Sequence, residues 1–177
     1  MAEAPVRRRN TSQGGARDEF LPAVLDRLSS SAPGRAEQGA NPHDIRALRV
    51  AVLRDLGWLL NTTSLDATTD LSAYEHVSRS VLNFGVPPLA GKRISELNSQ
   101  DLAFRLREAI QRFEPRLIPD SLDVRCLTDI AALEHRNVLA FEIQAQLWAT
   151  PYPVAFRARS DLDLETGHVL LQDLVEG

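Results

Sequence analysis

Residues 99–126 read SQDLAFRLREAIQRFEPRLIPDSLDVRC, and the period of the apolar residues changes inside them. Leu102, Leu106, Ala109, Ile110 and Phe113 return every three or four residues, as on one face of an α-helix. Ser99 is the predicted N-cap, since its hydroxyl can accept a first-turn N–H. Pro115 ends the helix, because proline biases the preceding residue away from helical backbone. Beyond Pro119 the period is two: Leu122, Val124 and Cys126 alternate with Asp123 and Arg125, the pattern of a strand with one buried face.

The same two periods divide the rest of the chain. Downstream, Val138–Trp148 alternates Phe141, Ile143, Ala145 and Leu147 with Glu142, Gln144 and Gln146, and Val154–Leu164 does likewise. Glu165-Thr166-Gly167-His168 reads as a hairpin turn with Gly167 supplying positive φ. Upstream, Ile45, Leu48, Val52, Leu56, Leu59 and Leu60 mark the strongest helix, while Arg46, Arg49, Arg54 and Asp55 take mostly other angles. Asn41-Pro42 supplies its start and Asn61-Thr62-Thr63 its stop, and Trp58 either finishes its core face, the preferred reading, or stands out as a contact residue. Val77–Phe84 reads as a short helix stopped by Gly85-Val86-Pro87-Pro88. Helices followed by a meander of about four antiparallel strands predict an α+β fold, with the N-terminal helices packed on the sheet.

The first residues are different in kind. Residues 1–17 hold Arg7, Arg8, Arg9 and Arg17 against Glu3 and almost nothing large and apolar, so a disordered basic tail is expected. Residues 18–177 are read as a single domain, opening with an amphipathic helix over Glu19–Leu28 and containing a Ser/Gly/Ala/Pro-rich loop at 29–42. A length of 177 residues suits one core. The net charge of -4 leaves the body acidic beneath its basic tail, and no basic, aromatic-interleaved surface suggests specific nucleic-acid binding. No apolar run is long enough to cross a bilayer and no apolar segment follows the N-terminal arginines, so a cytoplasmic address is expected. The lone Cys126 excludes an internal disulfide and reads as a small core residue.

Catalytic and ligand-binding patterns are weak. Gly85–Lys92 has five residues between its glycines, two prolines and Arg93 after the lysine, which does not make a phosphate-binding loop. His43, His76, His135 and His168 form no i, i+4 pair, so no metal site is assigned, and no cofactor. Glu108, Glu114 and Asp120 lie close in sequence, but paired-carboxylate hydrolysis also requires a cleft and a shifted pKa.

Four segments carry a family resemblance. Leu25-Asp26-Arg27-Leu28, Val52–Thr62 (VLRDLGWLLNT), Ser80–Pro87 (SVLNFGVP) and Phe113-Glu114-Pro115-Arg116-Leu117 together resemble the TssE family of the bacterial type VI secretion baseplate. The resemblance runs from about Phe20 to the C-terminus. It implies a non-enzymatic assembly protein of the baseplate wedge. Its implied partners are TssF, TssG and TssK in the wedge, and TssB and TssC in the sheath whose polymerisation it helps initiate. The place would be the cytoplasmic baseplate docked at the inner membrane, with membrane contact only through the secretion complex. Thr63 and Pro88 depart from the usual arginine and aspartate of the family.

Glu114, Pro115 and Arg116 are the implied docking residues. Proline fixes φ, so the two charged neighbours are held on a stiff corner, and a guanidinium offers five donors to a partner's carboxylate or carbonyls. Residue chemistry alone favours a helix stop with a local ion pair, and it is the resemblance that turns the reading to docking. Two other functions are set beside the structural one: a muramidase-like peptidoglycan hydrolase, and an adaptor binding a response regulator.

Overall fold

The computed structural model describes residues 45–88, 98–128, 137–149 and 151–174. The expected basic tail, the Glu19–Leu28 helix, the 29–42 loop, the Asn41-Pro42 cap, Leu25–Leu28, His43, Lys92 and His135 lie outside the described residues. Among the described residues, three α-helices precede a sheet: α1 Ile45–Leu60, α2 Glu75–Ser78 and α3 Ser99–Phe113, then β1 Asp123–Cys126, β2 Val138–Leu147, β3 Val154–Asp163 and β4 Val169–Asp173. The strands pair antiparallel in sequence order, β1-β2-β3-β4. This is the α+β meander that the periodicity predicts.

One face of the sheet makes the core. Phe141, Ile143 and Leu147 from β2 and Phe156, Ala158 and Leu162 from β3 are fully or almost fully buried. Against them lie Val52, Leu56, Leu59 and Leu60 of α1 and Leu102, Leu106, Ala109 and Ile110 of α3. Each large apolar side chain so buried contributes about 1.5–3 kcal/mol before the ordering entropy is counted. α1 packs along β4 and α3, while α3 packs against β1. The opposite face of the sheet carries charge, including the Arg157–Glu142 pair at 2.7 Å.

Three local expectations are corrected. The cap of α3 is Asn98, whose Oδ1 accepts the Gln100 N–H at 2.9 Å, so Ser99 is the first helical residue. The expected Val77–Phe84 helix is broken into α2 and a 3-10 turn, Val81–Asn83. Side chains compete there with the helical ladder: Ser80 Oγ donates to Val77 O and accepts from Leu82 N, and Asn83 Nδ2 donates to Ser78 O. Trp58 is 48% exposed rather than buried, with the Arg54 guanidinium 4.9 Å from its ring centroid. It follows Leu56 by two residues, about 200° round the helix, which turns it off the buried stripe.

The second and third resembling segments form one unit. Val86 N–H donates to Thr62 O at 2.9 Å and Ser64 N–H donates to Val86 O at 3.1 Å, making a parallel bridge between Thr63 and Val86. Gly85 has φ 131°, and a Cβ there would fall on Thr62 O and Ser64 N. Between these strips the chain folds on buried Asn83, whose Oδ1 accepts the Asp66 N–H at 2.9 Å. Phe84 then meets Phe113 edge to face, centroids 5.3 Å apart, which fixes the unit to the end of α3. The Asp163–Val169 turn closes as expected, with Gly167 at φ 73°.

Candidate functional site

The helix-to-sheet corner is set by its own backbone. Glu114 precedes proline and leaves helical conformation at φ -119°, ψ 79°, although its N–H still donates to Ile110 O at 2.9 Å. Two residues later the chain joins the end of β2: Trp148 N–H donates to Arg116 O at 2.9 Å, and Ile118 N–H to Gln146 O at 2.8 Å. Pro115 is exposed at the bend. Arg116 is therefore held from both sides, by the helix end and by the sheet.

Its side chain is held as well. Glu114, only 3% exposed, receives Arg116 Nε on Oε1 at 2.6 Å and Nη2 on Oε2 at 2.5 Å, a two-pronged pair. Glu114 Oε1 also accepts the Arg116 backbone N–H at 3.2 Å. Arg116 Nη2 reaches Asp55 Oδ2 in α1 at 2.6 Å, and Asp55 Oδ1 receives Arg54 Nε at 2.9 Å. Burial alone would lower the guanidinium's pKa, but hydrogen bonds and charge from Glu114 and Asp55 more than reverse this and raise it above its ordinary value. Arg116 is a fixed cation.

The arrangement divides the roles expected of these residues. Both carboxylate oxygens of Glu114 are used internally, so Glu114 orients the arginine and does not face a partner. Arg116 remains 26% exposed, and its Nη1 makes no bond to the described residues. Trp148, bonded to the corner through its backbone, is 61% exposed, and Trp58 stands one turn along α1 from Asp55. Sequence reasoning preferred the core for Trp58 over an outward contact and did not single out Trp148. The angle of Trp58 on the helical wheel carried the signal; Trp148 closes an alternating strand and gave none. Asp55 was missed as a partner of Arg116, since the two are 61 positions apart.

The carboxylates considered for hydrolysis do not build a catalytic pair. Glu114 is tied to Arg116, and Glu108 and Asp120 are exposed. A cleft of about 170 Å³ lies between Asn61–Thr63, Val86–Pro88 and the Thr166-Gly167 turn, floored by Phe141 and Ser160. Thr63 and Pro88 line it, and among the described residues no Asp, Glu or His does. Its size is below the roughly 300–1,000 Å³ of usual ligand pockets.

A second feature lies on the sheet edge. The side-chain amide of Asn61, just past α1, accepts the Val169 N–H on Oδ1 at 2.9 Å and donates Nδ2 to Val169 O at 2.9 Å and to Gly57 O at 2.8 Å. At the other end of β4, Arg49 donates Nε and Nη2 to Asp173 at 3.1 and 2.5 Å and Nη1 to Ala155 O at 2.7 Å. One helix thus ties both ends of β4.

The model of a family described as baseplate wedge protein gp25 matches residues 46–152, well over half of the chain. No curated protein and no solved structure matches. The matched span contains all of α1 but its first residue, the Thr63–Val86 bridge, the Glu114–Arg116 corner and β2.

Proposed function

Because the chain belongs to the family of the baseplate wedge protein gp25, and so has a structural role among baseplate components, we propose that it is the TssE-type wedge subunit of a type VI secretion baseplate. In this reading it docks on TssF, TssG and TssK at the Glu114-Pro115-Arg116 corner, where Arg116 makes the contact and buried Glu114 orients it from within, and it helps TssB and TssC begin sheath polymerisation. It acts without catalysis, in the cytoplasm at the inner-membrane-docked baseplate. Among the described residues, no helix is long and apolar enough to cross a membrane.

The observation that carries the docking role is the braced Arg116. Its position is set by Glu114 and Asp55 before any partner arrives, so little side-chain entropy remains to be lost on binding. The Arg116 side chain stays 26% exposed, and Trp148, whose backbone N–H donates to Arg116 O, is exposed as well. Arginine and tryptophan are the residues that most often dominate binding energy at protein interfaces. The two carboxylates already oppose the charges of Arg54 and Arg116, so carbonyl acceptors on the partner suit the corner better than another carboxylate.

The test is co-purification of the tagged chain from its own cells, wild type against Arg116→Lys. Lysine keeps a cation beside Glu114 and Asp55 but loses the planar fork and Nη1. Wild type should recover wedge and sheath subunits, and the folded variant should lose the wedge. A folded variant that keeps TssF, TssG and TssK removes Arg116 from the docking role; a wild-type chain that recovers none of the subunits refutes the baseplate assignment.

A further inference from the structure

We infer that the cleft floored by Ser160 is a binding site for one uncharged, ring-sized group with a single hydroxyl at its buried end, a phenol in chemical class. The site stands apart from the Glu114–Arg116 corner, none of whose residues lines it.

Ser160 breaks the pattern of its own strand. The core-facing row of β3 runs Phe156, Ala158, Ser160 and Leu162, all at 2% exposure or less, and the serine is its one polar member. Its hydroxyl makes no side-chain hydrogen bond to the described residues, yet Oγ is not among the atoms sealed from solvent without a partner; it opens on the cleft. Taking a hydroxyl out of water without a partner is unfavourable. An occupant that bonds to Oγ at the bottom of the cleft removes that penalty.

The walls belong to parts that are already fixed. Thr62 and Thr63 are held to Val86 by the parallel bridge, Val169 is held by the Asn61 amide, and Gly167 N–H donates to Asp163 O at 2.7 Å in the turn. Leu60, Leu106, Phe141 and Leu162 make an apolar interior, each no more than 5% exposed. The volume of about 170 Å³ is small for a nucleotide or a sugar chain, but it is close to the roughly 150 Å³ of an apolar cavity that takes one benzene molecule. Among the described residues no charged side chain lines it, so an ionic ligand would lose its hydration without a compensating partner. A plain hydrocarbon would leave the Ser160 hydroxyl unbonded. One six-membered ring with one hydroxyl meets all three constraints. A free phenol and a tyrosine side chain of another chain both offer it, and the exposed rim residues Thr63, Pro88 and Thr166 leave a mouth for either.

The test is NMR titration of the full chain with p-cresol, toluene and N-acetyl-tyrosinamide, for wild type and Ser160→Ala. p-Cresol should shift the amides of Ser160, Leu162, Gly167 and Val169 saturably, and toluene should bind the same site about fivefold more weakly, since it lacks one hydrogen bond. In Ser160→Ala the two should bind alike, p-cresol having lost its advantage and toluene nothing. Competition of N-acetyl-tyrosinamide with p-cresol, with the same dependence on Ser160, assigns the site to a tyrosine side chain; p-cresol binding without that competition assigns it to a free phenol. Shifts that are absent, fail to saturate or scatter over the surface refute the site and leave the cleft to water. Equal affinity of p-cresol and toluene in the wild type, or an advantage that survives Ser160→Ala, refutes the part given to Ser160. Should Ser160→Ala not fold, Ser160→Cys replaces the hydroxyl with a weaker hydrogen-bonding group of similar size and should narrow the p-cresol advantage; an unchanged ratio overturns the assignment.

Discussion

Removing Arg116 should harm the fold in a way that a second substitution partly repairs. Glu114 is 3% exposed, and its only cationic contact among the described residues is Arg116. Arg116→Ala strands that carboxylate in the protein interior. Breaking a buried ion pair from one side typically costs about 3–5 kcal/mol. The side chains of Arg116 and Asp55 are 26% and 25% exposed, so water relieves part of this, and a loss of about 2–3 kcal/mol is expected. Glu114→Gln keeps an acceptor for the Arg116 N–H and leaves Arg116 on Asp55, so its cost should be about 1–2 kcal/mol. In the double variant no charge is stranded. It should therefore be more stable than Arg116→Ala alone, by about 1 kcal/mol, and strongly non-additive. Urea unfolding followed by circular dichroism, with unchanged denaturant slope across the four proteins, measures the cycle. A double variant whose loss equals the sum of the singles would falsify the claim that the guanidinium neutralises a buried carboxylate.

Two further predictions concern backbone and pH. Gly85→Ala should destabilise by about 3 kcal/mol or more, since it adds strain at φ 131° and forces the Thr62–Val86 bridge apart, whereas Gly57→Ala, with open space around its Cβ, should stabilise by about 0.5–1 kcal/mol; equal effects in thermal unfolding would contradict both accounts. The Glu142 carboxyl is held below its ordinary pKa, first by the hydrogen bond from Arg157, with burial opposing and Gln144 assisting. Because its folded pKa is the lower one, its stabilisation is present above the unfolded value and is lost as pH falls from the ordinary glutamate range through the folded value. Glu142→Gln should flatten the loss of stability in that window, and an unchanged acid limb in pH-dependent denaturation would rule the pair out as a contributor.

The parts of this fold that repeat were legible in the sequence, and those that depend on distant meetings were not. α1, α3 and the four strands follow from periods of 3.6 and 2 because one face of each is buried in a single core. The break at Ser80 was hidden because Val77–Phe84 has a helical composition while the deciding bonds come from Ser80 and Asn83 side chains. The Glu-Pro-Arg corner could be located from its proline and its motif. Its inner half could not, because Asp55 reaches Arg116 only after α1 lies beside the sheet. Arg49 and Asn61 were legible as a polar helix residue and a helix stop. Their use at the two ends of β4 depends on a strand more than 100 positions away.

The paired strips at Thr62–Ser64 and Gly85–Val86 make the intervening residues a tethered insert with both ends pinned to the body. Lengthening a loop whose ends are already joined adds closure entropy only slowly, about 0.6 kcal/mol per doubling. Residues 68–74, at the far side of the insert, are almost all exposed. A peptide epitope spliced at Ser72-Ala73 would sit on a leash anchored by backbone bonds, remote from the Arg116 corner in sequence and separate from the β4 edge. The insert is thus a handle by which the chain can be labelled, or varied between lineages, without retuning the core that presents its contacts.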